Sequence, residues 1–305
     1  MTELRAGVDI GGTKTLVVVC DEEGRELGSA SAPSEAHRGG AAILDRAAEL
    51  VSSLVPDHAA LAGVGVGAAG VVDPVTGTVL VTGDSFTGWA GTPVNAELSA
   101  RLGGVPVRTV NDVDGFLLGE LLPGERNVLG VAVGTGVGGA LFVDGRLLYG
   151  GATGAGEIGH IGRYGEERCT CGQIGHLEAY ASGRALARRY AEATGRTLTA
   201  EAVAAEALAG DQAAQAVFTE AGRFLGQAVA DAAGLLGIAT SVLGGSVVKS
   251  WPLLEKPVRE ALEERPLLSG KPVSVRLSRH GAKSVALGAA GFTAGIHRLP
   301  DVSNP

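Results

Sequence analysis

The stretch Glu157–Glu178, EIGHIGRYGEERCTCGQIGHLE, concentrates more chemistry-bearing side chains than any other part of the chain. His160, Cys169, Cys171 and His176 are four metal ligands by type. Two thiolates and two imidazoles suit a tetrahedral zinc, and a closed set of four describes a structural ion rather than a catalytic one. Cys169 and Cys171 are closer together than the usual finger spacing, so spacing alone leaves a second reading open. In that reading the cysteines are small hydrophobes and the histidines are incidental. A polar, glycine-rich stretch is, however, a poor place to bury free thiols. Glu157 and Glu178 flank the four. Carboxylates brought together by a metal loop can hold a polyhydroxylated ligand through charge-assisted hydrogen bonds; standing alone, they would read as solvated surface acids.

Two glycine-rich turns suggest phosphate chemistry. Residues 6–20, AGVDIGGTKTLVVVC, read as strand, turn, strand. Gly11, Gly12, Thr13 and Lys14 form a bend whose backbone N–H groups and hydroxyl can face phosphate oxygens. Asp9 would then help place Mg²⁺ through water. The alternative is a plain hairpin turn, and the pattern is not a Walker A loop, which needs G-x-x-x-x-G-K-[ST]. Residues 130–148, GVAVGTGVGGALFVDGRLL, repeat the plan of residues 7–27, with Thr135, Gly136, Gly138 and Gly139 at the second turn. Such duplication predicts two similar domains, each carrying a phosphate loop. Asn111-Asp112 follows a short predicted strand at Val105–Val110, at the strand end where ligands bind in open α/β sheets. Asp112 reads as a general base or as a helix N-cap, and one residue can do both. Gly70 sits in a loop after the strand 62–67. Gly244 and Gly245 close the strand 240–243, where a flat base can approach the backbone.

The scaffold these residues need is legible in outline. Helical spacing predicts helices over 40–55, over 179–194, within 199–237, over 253–262 and from 286 onward, with a strand at 273–277 and a loose tail at 301–305. A chain of 305 residues is sized for about two domains. Three cysteines argue against a disulfide framework and for a reducing cytoplasm. No apolar run approaches the roughly 20 residues that span a membrane, and the N-terminus has no signal-peptide pattern. A net charge of −8, with no long Lys/Arg block, gives no electrostatic footprint for nucleic acid or an anionic membrane.

The run from Glu157 to Glu178 resembles the signature of the ROK family of repressors, open reading frames and sugar kinases: E-x-G-H, about ten residues, then C-x-C-G-x-x-G-C-x-E. His176 stands where the last cysteine belongs. The turn at Asp9–Lys14 resembles the first phosphate motif of the sugar kinase, actin and Hsp70 superfamily. Asn111–Glu120, NDVDGFLLGE, is similar to the family's N-D-x-x-x-x-x-x-G-E, and further motifs follow in order along the whole chain. The resemblance implies an α/β, two-lobed, ribonuclease H-like (actin-like ATPase) fold with an active site in the interlobe cleft. The expected first lobe is 1–113 plus 290–305, and the second is 114–289. The implied activity is ATP-dependent phosphorylation of a hexose at its 6-hydroxyl, with Mg²⁺ and a structural Zn²⁺. An N-acetylhexosamine kinase and a non-catalytic sugar-binding regulator remain as alternatives. By the same resemblance Asp112 is the catalytic base, and Gly70, Asn111, Glu157, His160 and Glu178 hold the sugar. Asp9, Gly11, Gly12, Thr13, Lys14, Thr135, Gly136, Gly138, Gly244 and Gly245 bind the nucleotide. A homodimer is usual for such proteins. The family often places an Asn shortly before the Gly-Trp pair, where Asp84 or Ser85 stands here, and Pro where Ala69 stands. ROK repressors carry a winged helix ahead of the first loop; that loop begins at Gly7 here, so a kinase is expected rather than a repressor.

Overall fold

The computed structural model describes residues 3–83, 85–150 and 154–293; Asp84 lies outside them. The chain opens with strands β1 (Leu4–Ile10), β2 (Lys14–Cys20) and β3 (Glu26–Pro33), then helix α1 (Gly40–Leu54) and strand β4 (Leu61–Ala68). The short strands β5 (Val71–Val72) and β6 (Val79–Val81) lead to α2 (Val94–Arg101), β7 (Val107–Asn111) and α3 (Asp112–Glu120). Next come β8 (Val128–Val133), β9 (Val137–Val143) and β10 (Arg146–Leu147). Helices α4 (Glu178–Ala181), α5 (Gly183–Thr194), α6 (Ala200–Leu208) and α7 (Gln212–Leu236) follow. Strand β11 (Thr240–Gly244), α8 (Trp251–Glu263), β12 (Ser274–Leu277) and α9 (Ser284–Thr293) complete it.

The expected duplication is present. One sheet has the order β3-β2-β1-β4-β7 and the other β10-β9-β8-β11-β12. In the first, β1 and β2 pair antiparallel, while β1–β4 and β4–β7 are parallel. In the second, β8–β11 and β11–β12 are parallel and β9–β10 antiparallel. Parallel pairing puts the C-terminal ends of β1, β4 and β7 at one edge, the position from which an open α/β sheet presents its ligand-binding turns.

The chain divides into two compact units: Met1–Arg126 with Leu141–Ala155 and Arg279–Pro305, and Asn127–Ala140 with Gly156–Ser278. This differs from the expected boundaries at 113/114 and 289/290. The reason is the packing of α3 on α9. A Cβ on Gly119 would lie 2.0 Å from the Ser284 carbonyl oxygen, and one on Gly288 would lie 2.0 Å from that of Gly115. Fully buried Glu120 then accepts from the backbone N–H groups of Arg279 (2.8 Å) and His280 (3.0 Å) and from Ser284 Oγ (2.7 Å). The Gly-Glu end of the NDVDGFLLGE run is therefore a docking device that keeps residues 279–293 with the first unit.

In that unit one face of the sheet buries Ala6, Val8, Ile10, Val64 and Val66 with Ile43, Leu44, Ala47 and Val51 of α1. The other face meets α9, whose Ala286 and Ala290 pack with Leu16, Val18 and Cys20. The approach is close: Cβ atoms at Gly7 and Gly65 would lie 1.8 Å from the carbonyl oxygens of Ala286 and Ala289. Glycines in both central strands thus exist to seat a helix backbone on the sheet.

Helix boundaries in both units differ from those expected. The helix expected over 179–194 breaks at Ser182, which is extended (φ −70°, ψ 156°) and caps α5 through Ala185 N. Residues 199–237 form two helices, capped by Thr199 and Asp211. The last helix begins at Ser284, two residues earlier than expected.

Candidate active site

In the first unit, sheet register aligns Asp9 with Gly67, Gly67 with Val110, and Ala68 with Asn111. The turn Gly11–Thr13, Gly70 and the Asn111-Asp112 pair therefore emerge at the same sheet edge. Gly11 N–H bonds to Lys14 O at 3.2 Å and Ser34 N–H to Thr13 O at 3.1 Å, which fixes the turn. Among the described residues the N–H groups of Gly12 and Thr13 have no acceptor. A Cβ on Gly12 would stand 3.3 Å from Ser85 Cβ, so the Gly83–Thr87 segment borders this turn.

Asn111, not Asp112, is the N-cap of α3: its Oδ1 accepts from Val113 N at 2.8 Å and from Asp114 N at 3.4 Å. Its Nδ2 donates to Gly70 O at 2.8 Å. Gly70 has φ 109°, and a Cβ there would meet Val81 O at 2.3 Å, so no other residue fits this turn without rearrangement. Fully buried Trp89 donates Nε1–H to Ala69 O at 3.2 Å and holds the turn from the other side. The Gly-Trp pair is thus an anchor for the Gly70 turn. Asp112 occupies the first helical position, where the positive end of the helix dipole favours a carboxylate. Its Oδ1 accepts from Val113 N at 3.0 Å. Asp9 is close enough to feel that charge. Burial, and then the Asp112 carboxylate, push its pKa up to about 7, with Lys14 partly opposing the rise. Two acids arranged so that one resists ionisation are a setting that a divalent cation relieves.

In the second unit, Gly134–Gly136 forms the turn between β8 and β9. Gly134 N–H donates to Gly136 O at 2.9 Å. Glu178 lies under this turn, 8 % exposed, and its Oε2 accepts from Val137 N at 3.0 Å. Its Oε1 accepts from Thr170 Oγ1 at 2.8 Å. A Cβ on Gly136 would come within 2.5 Å of Glu178 Oε2. Sequence reasoning assigned Glu178 to the sugar; in this structure both of its oxygens are engaged by the loop and by Thr170. Gly138 lies within β9 rather than on the turn. Gly244 ends β11 opposite Ala132, and Gly245 (φ 96°) follows, where a Cβ would meet Val133 O at 2.3 Å.

The predicted metal ligands converge. His160 ends the 3₁₀ turn Ile158–His160, which docks on β9: a Cβ on Gly159 would lie 1.9 Å from Val137 O. Glu157 stands exposed at the start of that turn. Cys169 and Cys171 lie on a tight loop closed by Cys169 N–H to Gln173 O at 2.8 Å and Gly172 N–H to Cys169 O at 2.9 Å. The ligand atoms of His160, Cys169, Cys171 and His176 all lie within 4.8 Å of one another. His160 Nδ1 is 3.3 Å from His176 Nδ1 and 3.8 Å from Cys169 Sγ, and His176 Nδ1 is 3.3 Å from Cys171 Sγ. A zinc tetrahedron with its ordinary bond lengths has edges of about 3.3–3.8 Å. Four lone-pair donors at those separations fit a cation better than they fit one another. Burial pushes the Cys169 thiol up, and the nearby Glu178 carboxylate adds to the rise; coordination to a divalent ion reverses that.

Sequence reasoning missed Thr170, which carried no signal, and the anchoring role of Trp89. It also missed Arg184, whose Nε donates to Thr135 O at 3.1 Å.

Two parallel-cored sheets of matching strand order, each with a glycine turn after its first strand, define an actin-like ATPase fold. The chain belongs to the ROK family, whose family model matches residues 5–295. The glucokinase of Streptomyces coelicolor is 32% identical, with 98% of each chain aligned. The N-acetyl-D-glucosamine kinase of Salmonella paratyphi B is 30% identical, over 93% of this chain and 97% of its own. Among solved structures, a ROK family glucokinase from Streptomyces griseus in complex with glucose and AMPPNP superposes with a TM-score of 0.80. It shares 31% identity over 95% of this chain and 98% of its own.

Proposed function

We propose that this chain is an ATP-dependent hexose kinase that transfers a phosphoryl group to the 6-hydroxyl of a glucose-like sugar. The observation that carries the reading is Asp112: a partly buried carboxylate at the first position of α3, ordered by the Asn111 cap, beside a second acid on β1. Asp112 accepts the hydroxyl proton as the sugar oxygen attacks. A carboxylate is a weak base, so positioning supplies much of the rate. Asp9 is suited to hold Mg²⁺ through water, and Mg²⁺, when bound, neutralises phosphate charge. The N–H groups of Gly12 and Thr13 in the first turn, and of Thr135 and Gly136 in the second, receive phosphate oxygens. Gly244 and Gly245 leave a flat backbone for the base. Glu157 and the Nε2 side of His160 take sugar hydroxyls, while His160 Nδ1 faces the other three metal ligands. Zn²⁺ held by His160, Cys169, Cys171 and His176 would fix the orientation of the His160 ring. Asn111 is better described as a positioning residue, since its amide is engaged by α3 and Gly70.

An N-acetylhexosamine kinase is the second reading, supported by the similarity to the Salmonella enzyme. A coupled ADP-release assay with glucose, mannose, N-acetylglucosamine and N-acetylmannosamine tests both. Glucose should give the highest kcat/KM. Preference for an N-acetylated sugar would select the second reading, and no turnover with any of the four would remove both.

A further inference from the structure

Arg184 is the second residue of α5, and it stands over the Gly134–Gly136 turn. Three contacts put it there. Gly183 N–H donates to Gly134 O at 2.8 Å, which docks the start of the helix on the turn. Arg184 Nε donates to Thr135 O at 3.1 Å. Its Nη2 lies 3.6 Å from Glu178 Oε1, an ion pair with a carboxylate that itself holds Val137 N–H. The guanidinium is thus aimed by the turn and the acid beneath it, while its side chain stays 56 % exposed. Among the described residues no other acceptor takes its remaining N–H groups, and the N–H groups of Thr135 and Gly136 likewise have none.

This is an awkward place for a cation. The first turn of a helix carries the positive end of the dipole, and α5 has no acid in its first turn to offset it. A guanidinium fixed there, beside two backbone N–H groups, makes a cluster of donors with one carboxylate below them. Phosphate oxygens fit such a cluster, because the planar fork of arginine matches them in pairs.

We propose that Arg184 is a ligand of the phosphoryl donor, a nucleoside triphosphate, and grips its phosphate oxygens together with the backbone of the second turn. The proposal rests on reading Gly134–Gly136 as a phosphate loop. It also gives Glu178 a task that sequence reasoning did not assign: holding the loop and the arginine in register.

The test is calorimetric titration of wild type, Arg184→Gln and Arg184→Lys with ATP, ADP and adenosine, with zinc content and thermal midpoint measured on each. Arg184→Gln should weaken ATP by about 10- to 100-fold, the worth of a charge-assisted hydrogen bond. Adenosine affinity should stay within about twofold, and zinc content should be unchanged. Arg184→Lys, a point charge without the fork, should recover only part of the loss. Arg184→Gln binding ATP as wild type does would overturn the proposal. So would an equal loss for ATP and adenosine, which marks a structural role. A wild-type protein that binds adenosine no less tightly than ATP would remove the phosphate-loop reading itself, and the proposal with it.

Discussion

Asp112 and Asp9 carry different burdens. Asp112→Asn keeps the shape and the start of α3 but cannot accept a proton. Its kcat should fall at least about a hundredfold while the sugar KM stays within about threefold, as steady-state kinetics would show. Near wild-type turnover at saturating substrates would exclude Asp112 as the base. Asp9 gives a pH prediction. Its folded pKa is raised to about 7 by burial and by Asp112, well above its ordinary value of 3.8. The folded protein therefore binds that proton more tightly than the unfolded chain does. The associated stability is complete below about pH 4 and is lost as pH rises through about 7. Asp9→Asn is neutral throughout, so without Mg²⁺ or nucleotide it should melt higher than wild type at pH 8, by at least about 3 °C. Near pH 4 the two should coincide. Parallel melting curves at both pH values would show that Asp9 is not held in this state.

At the scale of elements, the loop from Glu157 to Glu178 and the seat of α9 make separate demands. His176 is 5 % exposed and 3.3 Å from both His160 Nδ1 and Cys171 Sγ. Protein purified without chelator should hold one zinc per chain by mass spectrometry. Two thiolates and two neutral imidazoles make a neutral centre, which repels Glu157 and Glu178 less than a three-thiolate one would. His176→Ala should lose zinc and raise the sugar KM with little change for ATP; His176→Cys should keep both metal and activity. Wild type without stoichiometric zinc, or His176→Ala with unchanged metal and kinetics, would refute this. On β4, Gly65→Ala drives a methyl into the Ala289 carbonyl and should cost about 3 kcal/mol in urea unfolding. Gly291→Ala, on the same helix with nothing within 4 Å of the new methyl, should be neutral or stabilising. Equal effects would mean that α9 does not sit so close to the sheet.

For the whole molecule, the charge of −8 predicts no affinity for nucleic acid. Fluorescence anisotropy with duplex DNA at physiological salt should stay flat to about 10 µM protein; sequence-specific binding would revive the repressor reading. The sequence by itself determined the family and the duplicated strand–turn–strand plan. It did so because glycines at strand ends, an Asn-Asp pair and a Cys/His loop each impose a local geometry that few other residues satisfy. Strand periodicity and helix spacing are equally local, so most elements were legible, although the break at Ser182 was not: a cap within an apolar helical pattern gives no change of period. Only tertiary structure decided the rest. Capping fell to Asn111, because the Gly70 carbonyl completes its hydrogen bonds. Residues 279–293 joined the first unit, because Glu120 and the glycines of α3 and α9 meet only when packed. Glu178 turned to the second loop, and Arg184 took its place there, because they depend on Val137 and Thr135, 41 and 49 residues away in the chain. Such contacts leave no periodic trace in the chain and exist only once the backbone has closed.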